Sequence, residues 1–375
     1  MDYSLIVIVV IVAALAFDFT NGFHDTANAM ATSIATGALR PKVAVGLSAV
    51  LNLVGAFLSI EVAKTISGGI VDELKITPAV IFAGLVGAII WNLLTWLVGL
   101  PSSSSHALFG GLIGATWIAA GADAIHFAKV VEKVLIPAIA SPLVAGLVAT
   151  VGTFVVYRIT QRARQEVVGK AFKSGQVLSA SLVSLAHGTN DAQKTMGIIT
   201  LTLISSGSLA AGSSPPIWVI LAAGAAIALG TYLGGWRIIQ TMGRKLTEIQ
   251  TPQGFAAEAT AGAVILASSH FGFALSTTHV CSGGIIGSGV GRRLAEVRWG
   301  VAGRMVLAWL LTLPAAAIVG AVAAAIATKG DWGTLLVGVA GVGIAIAIYL
   351  VSKRNPVDPN SIAEQRPEPI PAGVA

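Results

Sequence analysis

Long apolar stretches fill most of the chain, and short polar connections separate them. The plainest are residues 43–66, 79–100, 134–157, 217–236 and 332–351, each long enough to cross a bilayer, which takes ~20 residues as a helix. Residues 101–120 and 274–291 are predicted as further crossings, but they are too rich in Gly, Ser and Thr to be simple lipid-facing helices. Residues 352–375 carry several prolines and little apolar content, which predicts a disordered end. One apolar stretch breaks the pattern. SLAHGTNDAQKTMG, residues 184–197, gathers His187, Asn190, Asp191, Gln193 and Lys194 within an otherwise Val-, Leu-, Ala- and Ile-rich segment.

Composition identifies the solvent around that stretch. The chain is 55% hydrophobic and 11% charged, against roughly 25% charged in an ordinary soluble domain, and its mean hydropathy is +0.84. An all-α polytopic membrane protein follows. Its 43 glycines suit helices whose backbones approach closely in lipid. The single cysteine, Cys281, excludes an internal disulfide. The net charge of +6 is no nucleic-acid signal, because the excess sits in short loops. The basic clusters are Arg40/Lys42; Arg158, Arg162, Arg164, Lys170 and Lys173; Arg237, Arg244 and Lys245; Arg292, Arg293 and Arg298; and Lys353/Arg354. The positive-inside rule places these in the cytoplasm and predicts about eleven crossings of the plasma membrane, N-terminus outside and C-terminus cytoplasmic.

The polar stretch has a partner. NGFHDTANAMATSIATG (21–37) aligns with it so that Gly22, Asp25 and Met30 fall on Gly188, Asp191 and Met196. A second pair is clearer: PSSSSHALFGGLIG (101–114) against ALSTTHVCSGGIIG (274–287) matches Ser103–His106 to Ser276–His279. Both pairs lie roughly 170 residues apart, so one duplication with about five crossings per copy, an odd number, predicts the inverted-repeat plan of secondary transporters. The expected divisions are a first repeat over 1–160, a basic cytoplasmic linker over 161–175, a second repeat over 176–328, a final span over 329–351 and the tail 352–375. Broken helices and re-entrant hairpin-like segments are expected within the repeats.

The paired motifs carry the candidate chemistry. A bare carboxylate inside a membrane costs on the order of 2.5–3.5 kcal/mol, so Asp25 and Asp191 need partners. Gly22 and Gly188 are expected to break their helices and expose backbone groups at mid-membrane. Asn21, Thr26, Asn28, Thr189 and Asn190 supply neutral oxygens and amides suited to a cation such as Na⁺ and to an oxyanion. SSSSH and STTH follow Pro- or Gly-containing leads, which places them at helix N-termini, where free N–H groups attract anions. N-capping explains one hydroxyl in each. It does not explain the rest, which leaves Ser104, Ser105, Thr277 and Thr278 as ligand contacts. Lys194 occupies the repeat position of Asn28 and lies three residues after Asp191, within reach of that carboxylate on one helix face. It can stand where a bound sodium would otherwise neutralise Asp191. Asp18, in the first span, divides evenly between helix packing and a proton relay.

GFHDTANA and AHGTNDAQKTMG, each followed by an S-[ST]-[ST]-H element, resemble the duplicated signature of the Pit family of inorganic phosphate transporters, which is related to animal sodium–phosphate cotransporters. The resemblance spans both halves. It implies a symporter that carries inorganic phosphate, alone or as a divalent-metal complex, into the cell on a proton or cation gradient. By the same resemblance Glu258 takes a role in transport. Asn52 stands where the animal members carry Glu, a departure that weakens any sodium stoichiometry. The site is then substrate-binding through Asn28, Ser104, Ser105, Asn190, Thr277 and Thr278. Coupling falls to Asp25, Asp191, Lys194, Glu258, Asn21 and Thr189, with Na⁺ a candidate near the two aspartates. No cofactor or catalytic residue is expected. The partners are phosphate, the bilayer and, as an open possibility, a second copy of the chain.

Three rival readings remain. A sulfate permease of the same fold is one, but HPO₄²⁻ can give a proton to a carboxylate and sulfate cannot, so two buried aspartates favour phosphate. A channel would not need paired carboxylates facing two helix N-termini. An intramembrane hydrolase would need a Ser–His–Asp relay, and helical neighbours such as Ser105 and His106 point about 100° apart.

Overall fold

The computed structural model describes residues 3–292 and 297–364. Arg293 of the basic clusters and residues 365–375 of the tail lie outside them. Fifteen α-helices are described: α1 (Leu5–Ala35), α2 (Pro41–Gly55), α3 (Glu61–Gly69), α4 (Pro78–Leu97), α5 (Ser104–Ala120), α6 (Phe127–Val130), α7 (Ile136–Thr160), α8 (Gln165–Ser205), α9 (Ile217–Leu233), α10 (Trp236–Gln240), α11 (Thr251–His270), α12 (Thr277–Arg292), α13 (Trp299–Ala327), α14 (Asp331–Ser352) and α15 (Pro359–Glu364). Five spans are long and apolar enough to cross a membrane alone: α1, α4, α6 running through a π-helical turn into α7, α13 and α14. The α9–α10 pair makes a sixth if its 60° bend is one broken span. This is an all-helical, multi-pass membrane protein.

The outer helices show leucine, isoleucine and valine to their surroundings, among them Leu143, Leu147, Leu310, Ile318, Leu335 and Val342. The interior is the reverse, because α1 and α8 bury polar residues along most of their facing length. Asn21 meets Asp191 and Thr36 meets Gln176. As the number rises on one helix it falls on the other, so the two helices run antiparallel.

Other contacts repeat across the two halves. α1 packs against α9 and α8 against α2, while α5 packs against α13 and α12 against α7. Glycine makes the first pair of crossings close. A Cβ on Gly22 would overlap the backbone of Ile227, and one on Gly188 would overlap the backbone of Asn52.

That packing corrects one expectation. Gly22 and Gly188 do not break their helices: α1 continues through Leu5–Ala35 and α8 through Gln165–Ser205. With a neighbouring backbone against each glycine, the missing side chain serves close approach, and the helical hydrogen bonds continue. The linker also shrinks. Helix α8 begins at Gln165, so most of 161–175 is its first turns, where Lys170 pairs with Glu166 at 2.8 Å. The tail is docked as far as it is described. Arg237 donates to the carbonyls of Ser352 and Asn355, Arg244 donates to that of Ile362 at 2.8 Å, and Ile362 is buried on α15.

Candidate functional site

Two helices start inside the protein. The segments before α5 and α12 are not helical, and the first hydroxyl of each triplet caps the helix that follows. His106 N donates to Ser103 Oγ, and His279 N donates to Ser276 Oγ, both at 3.2 Å. Capping is thus done by Ser103 and Ser276, which leaves the next two hydroxyls of each triplet for other partners.

Those hydroxyls meet the carboxylates of α1 and α8. Ser104 Oγ donates to Asp25 Oδ2 at 2.8 Å, and Thr278 Oγ1 reaches Asp25 Oδ1 at 3.4 Å. Thr277 Oγ1 stands between the acids, 3.4 Å from Asp25 Oδ2 and 3.3 Å from Asp191 Oδ2. Asn28 Nδ2 donates to Thr277 and Thr278 at 3.3 and 3.1 Å. Four helices from both halves converge here. Every one of these side chains is buried.

The Lys194 ammonium lies in the same cluster, fully buried. It donates to Asp191 Oδ1 and Ser105 Oγ at 2.5 Å each and to the Leu275 carbonyl at 3.1 Å. Three acceptors use its three protons. Asn21 Nδ2 donates to Asp191 Oδ2 at 3.3 Å. Asp25, His187 and Asp191 each turn one ligand atom into a common space, all within 4.8 Å of one another. That donor set fits a hard cation or a proton beside an oxyanion.

Three of the expected residues lie elsewhere. Thr189 Oγ1 bonds to its own helix at the Leu185 carbonyl, 2.7 Å away. Asn190 Nδ2 bonds Ser269 Oγ at 2.9 Å and the Phe273 carbonyl at 3.2 Å, on the α11 side. Glu258 forms its own station. It accepts from Thr32 and from Ser33 (2.6 Å) of α1, and from Gln176 (3.2 Å) and Ser179 (2.6 Å) of α8. By helical rise, Thr32 sits roughly 10 Å along α1 from Asp25.

Two histidines that were not among the expected site residues join the site. His24 Nδ1 lies 2.6 Å from Asp25 Oδ1, and its Nε2 faces Thr95 Oγ1 at 3.2 Å and Ser102 Oγ at 3.3 Å. His187 Nε2 lies 3.2 Å from Asp191 Oδ2, and its Nδ1 lies 3.1 Å from Asn52 Oδ1. The four-residue spacing of His187 and Asp191 was a readable signal for the second pair. The order Asp25–His24–Ser102 has the connectivity of a hydrolytic triad. However, Ser102 Oγ lies closer to Thr95 Oγ1, at 2.8 Å, which competes with the imidazole for its proton.

The fold and site define a class: a helical membrane carrier in which paired acids and two helix N-termini meet at the centre. Residues 21–320 match the model of the phosphate transporter family, and the chain belongs to that family. A Mycobacterium bovis protein named probable low-affinity inorganic phosphate transporter is 57% identical over 360 residues, 95% of this chain and 86% of that protein. A Bacillus subtilis protein of the same name is 44% identical over 329 residues, 86% of this chain and 98% of its own length. A solved structure titled the sodium-dependent phosphate transporter shares the fold, with a TM-score of 0.71 at 23% identity over 85% of this chain and 98% of that one.

Proposed function

We propose that this chain carries inorganic phosphate into the cell as a symporter with a cation, through a site shared by two inverted repeats. The observation that supports it most is the meeting of Ser104, Thr277 and Thr278 with Asp25 and Asp191. Two helix N-termini supply N–H groups and neutral hydroxyls to an oxyanion. The carboxylates can receive the proton that HPO₄²⁻ carries, which favours phosphate over sulfate. The relatives are named as transporters, which favours transport over hydrolysis. The antiparallel run of the motif-matched helices α1 and α8 supports the inverted plan, and the basic loops support a cytoplasmic C-terminus. Glu258, held by neutral donors alone, is a second coupling position on this reading.

The coupling ion is read from Lys194. Its ammonium supplies Asp191 with a permanent positive partner, so this half needs no Na⁺ there, and a proton or a co-carried divalent metal takes the coupling role. Purified protein in proteoliposomes, given radiolabelled phosphate with Na⁺, pH and Mg²⁺ varied separately, tests this. Uptake should follow the pH gradient and resist excess sulfate. A steep requirement for two Na⁺ per phosphate would overturn the proton reading, and sulfate uptake in place of phosphate would overturn the substrate.

A further inference from the structure

Asp18 lies two helical turns before Asp25 on α1, roughly 10 Å along the axis, and its side chain is completely buried. Among the described residues, neither of its carboxylate oxygens has a hydrogen-bond partner. The other three buried acids differ. Asp25 has Ser104 and His24, Asp191 has Lys194 and Asn21, and Glu258 has four neutral donors. Buried polar groups in native proteins are almost always satisfied, and an exception calls for an explanation.

The neighbours of Asp18 define what is missing. The side chains of Asn21 on α1 and Thr195 on α8 lie alongside it, and Asn21 Oδ1 and Thr195 Oγ1 also lack partners. Asn21 gives one Nδ2 hydrogen to Asp191, which leaves its second N–H and its Oδ1. The group therefore holds three acceptor oxygens against two donors, one Asn21 N–H and the Thr195 hydroxyl. From α8, the Asp191 carboxylate and the Lys194 ammonium also face Asp18. The three protons of Lys194 are already used by Asp191, Ser105 and Leu275. Helices α4 and α9, which also pack along α1, carry no charged residue.

One proton completes this group. On an Asp18 oxygen it would donate to Asn21 Oδ1, and the other Asp18 oxygen would accept from Thr195. Four oxygens, two of them from one carboxylate, fall short of the six to eight that Ca²⁺ gathers. We propose that Asp18 is the seat of the coupling proton, a station separate from the phosphate site. The proton comes from water on the side where phosphate binds, makes an O–H bond on Asp18, and returns to water on the side of release. Asn21, between Asp18 and Asp191, lets the two stations sense each other. The inference rests on the phosphate-symport reading above.

The test uses wild-type, Asp18→Asn and Asp18→Glu protein in proteoliposomes holding a pH dye. Exchange of labelled for unlabelled phosphate at equal pH reports the phosphate site alone, and net uptake under an inside-alkaline gradient reports coupling. The Asn variant should keep exchange within about threefold of wild type, yet lose accumulation and phosphate-linked acidification by about tenfold or more. The Glu variant should restore both, which separates proton carriage from a structural defect. An Asn variant that still acidifies with phosphate overturns the proposal. So does one that loses exchange, because Asp18 would then belong to the phosphate site. Wild-type uptake that needs Na⁺ and brings no acidification also overturns it. If wild-type protein neither exchanges nor accumulates phosphate, the symport reading has failed first, and that result is distinct from all of these.

Discussion

Asp25 and Asp191 occupy matched positions in the two halves, yet their surroundings differ in kind. Asp191 has a built-in cation 2.5 Å away, with Asn21, His187 and Thr277 around it. Asp25 has only neutral hydroxyls and His24. At position 28 of the first half stands Asn, an uncharged donor to Thr277 and Thr278, where the second half has Lys194. One side of the site therefore carries a permanent positive charge, and the other has none. An arriving dianion adds negative charge, so a co-transported cation or proton balances the Asp25 side.

The largest expected effect comes from removing the acids. Asp25→Asn or Asp191→Asn should abolish phosphate uptake while the protein still inserts in the membrane. Near-normal transport by both variants would end the site assignment. If the comparison holds, Asp191→Asn should also lower thermal stability more, because it strands a buried ammonium. Breaking a buried pair costs about 3–5 kcal/mol, and Asp25 has no permanently charged partner.

Lys194→Asn gives the second half the residue of the first. It should cut uptake in sodium-free buffer by about tenfold or more, and any recovery should require Na⁺, the ion that could then neutralise Asp191. Unchanged sodium-free uptake would show that Lys194 only satisfies its neighbours. Thr277→Ala with Thr278→Ala comes next. Each hydroxyl is worth about 0.5–1.5 kcal/mol net, so the apparent affinity for phosphate should fall between about fivefold and a hundredfold. Ser104→Ala with Ser105→Ala should cost less, since Ser105 is already engaged by Lys194 and the Leu275 carbonyl. Unchanged affinity in the threonine pair would reduce those residues to helix-end structure.

The parts of this site that could be read from sequence are those fixed by local geometry. Pro101 and the triplets announced the starts of α5 and α12, and three-residue spacing put Lys194 on Asp191. What stayed hidden depends on distant packing. Gly22 and Gly188 look like breakers until Ile227 and Asn52 are placed against them. The tail looks disordered until Arg237 and Arg244 are seen holding its carbonyls. Asp18 could not be assigned because its neighbour Thr195 is supplied by α8, far along the chain.

The smallest effect sets the buried Lys194–Asp191 pair against an exposed one of the same chemistry. Lys75 Nζ lies 2.9 Å from Asp123 Oδ2 at the surface, and the ammonium holds the Asp123 carboxyl below its ordinary range. The sign follows from that depression. The pair stabilises the fold above the unfolded carboxyl value, ~3.9, and its contribution is lost as pH falls through the depressed folded value. Water and salt screen it, and exposed pairs contribute little. Lys75→Ala should therefore shift the Tm at neutral pH by less than about 2 °C. The shift should shrink in high salt and vanish once the pH falls below the depressed folded value. Phosphate uptake should not change. A large Tm drop that salt leaves untouched would mean that this surface pair is shielded like the interior one, and burial would no longer account for the difference between the two.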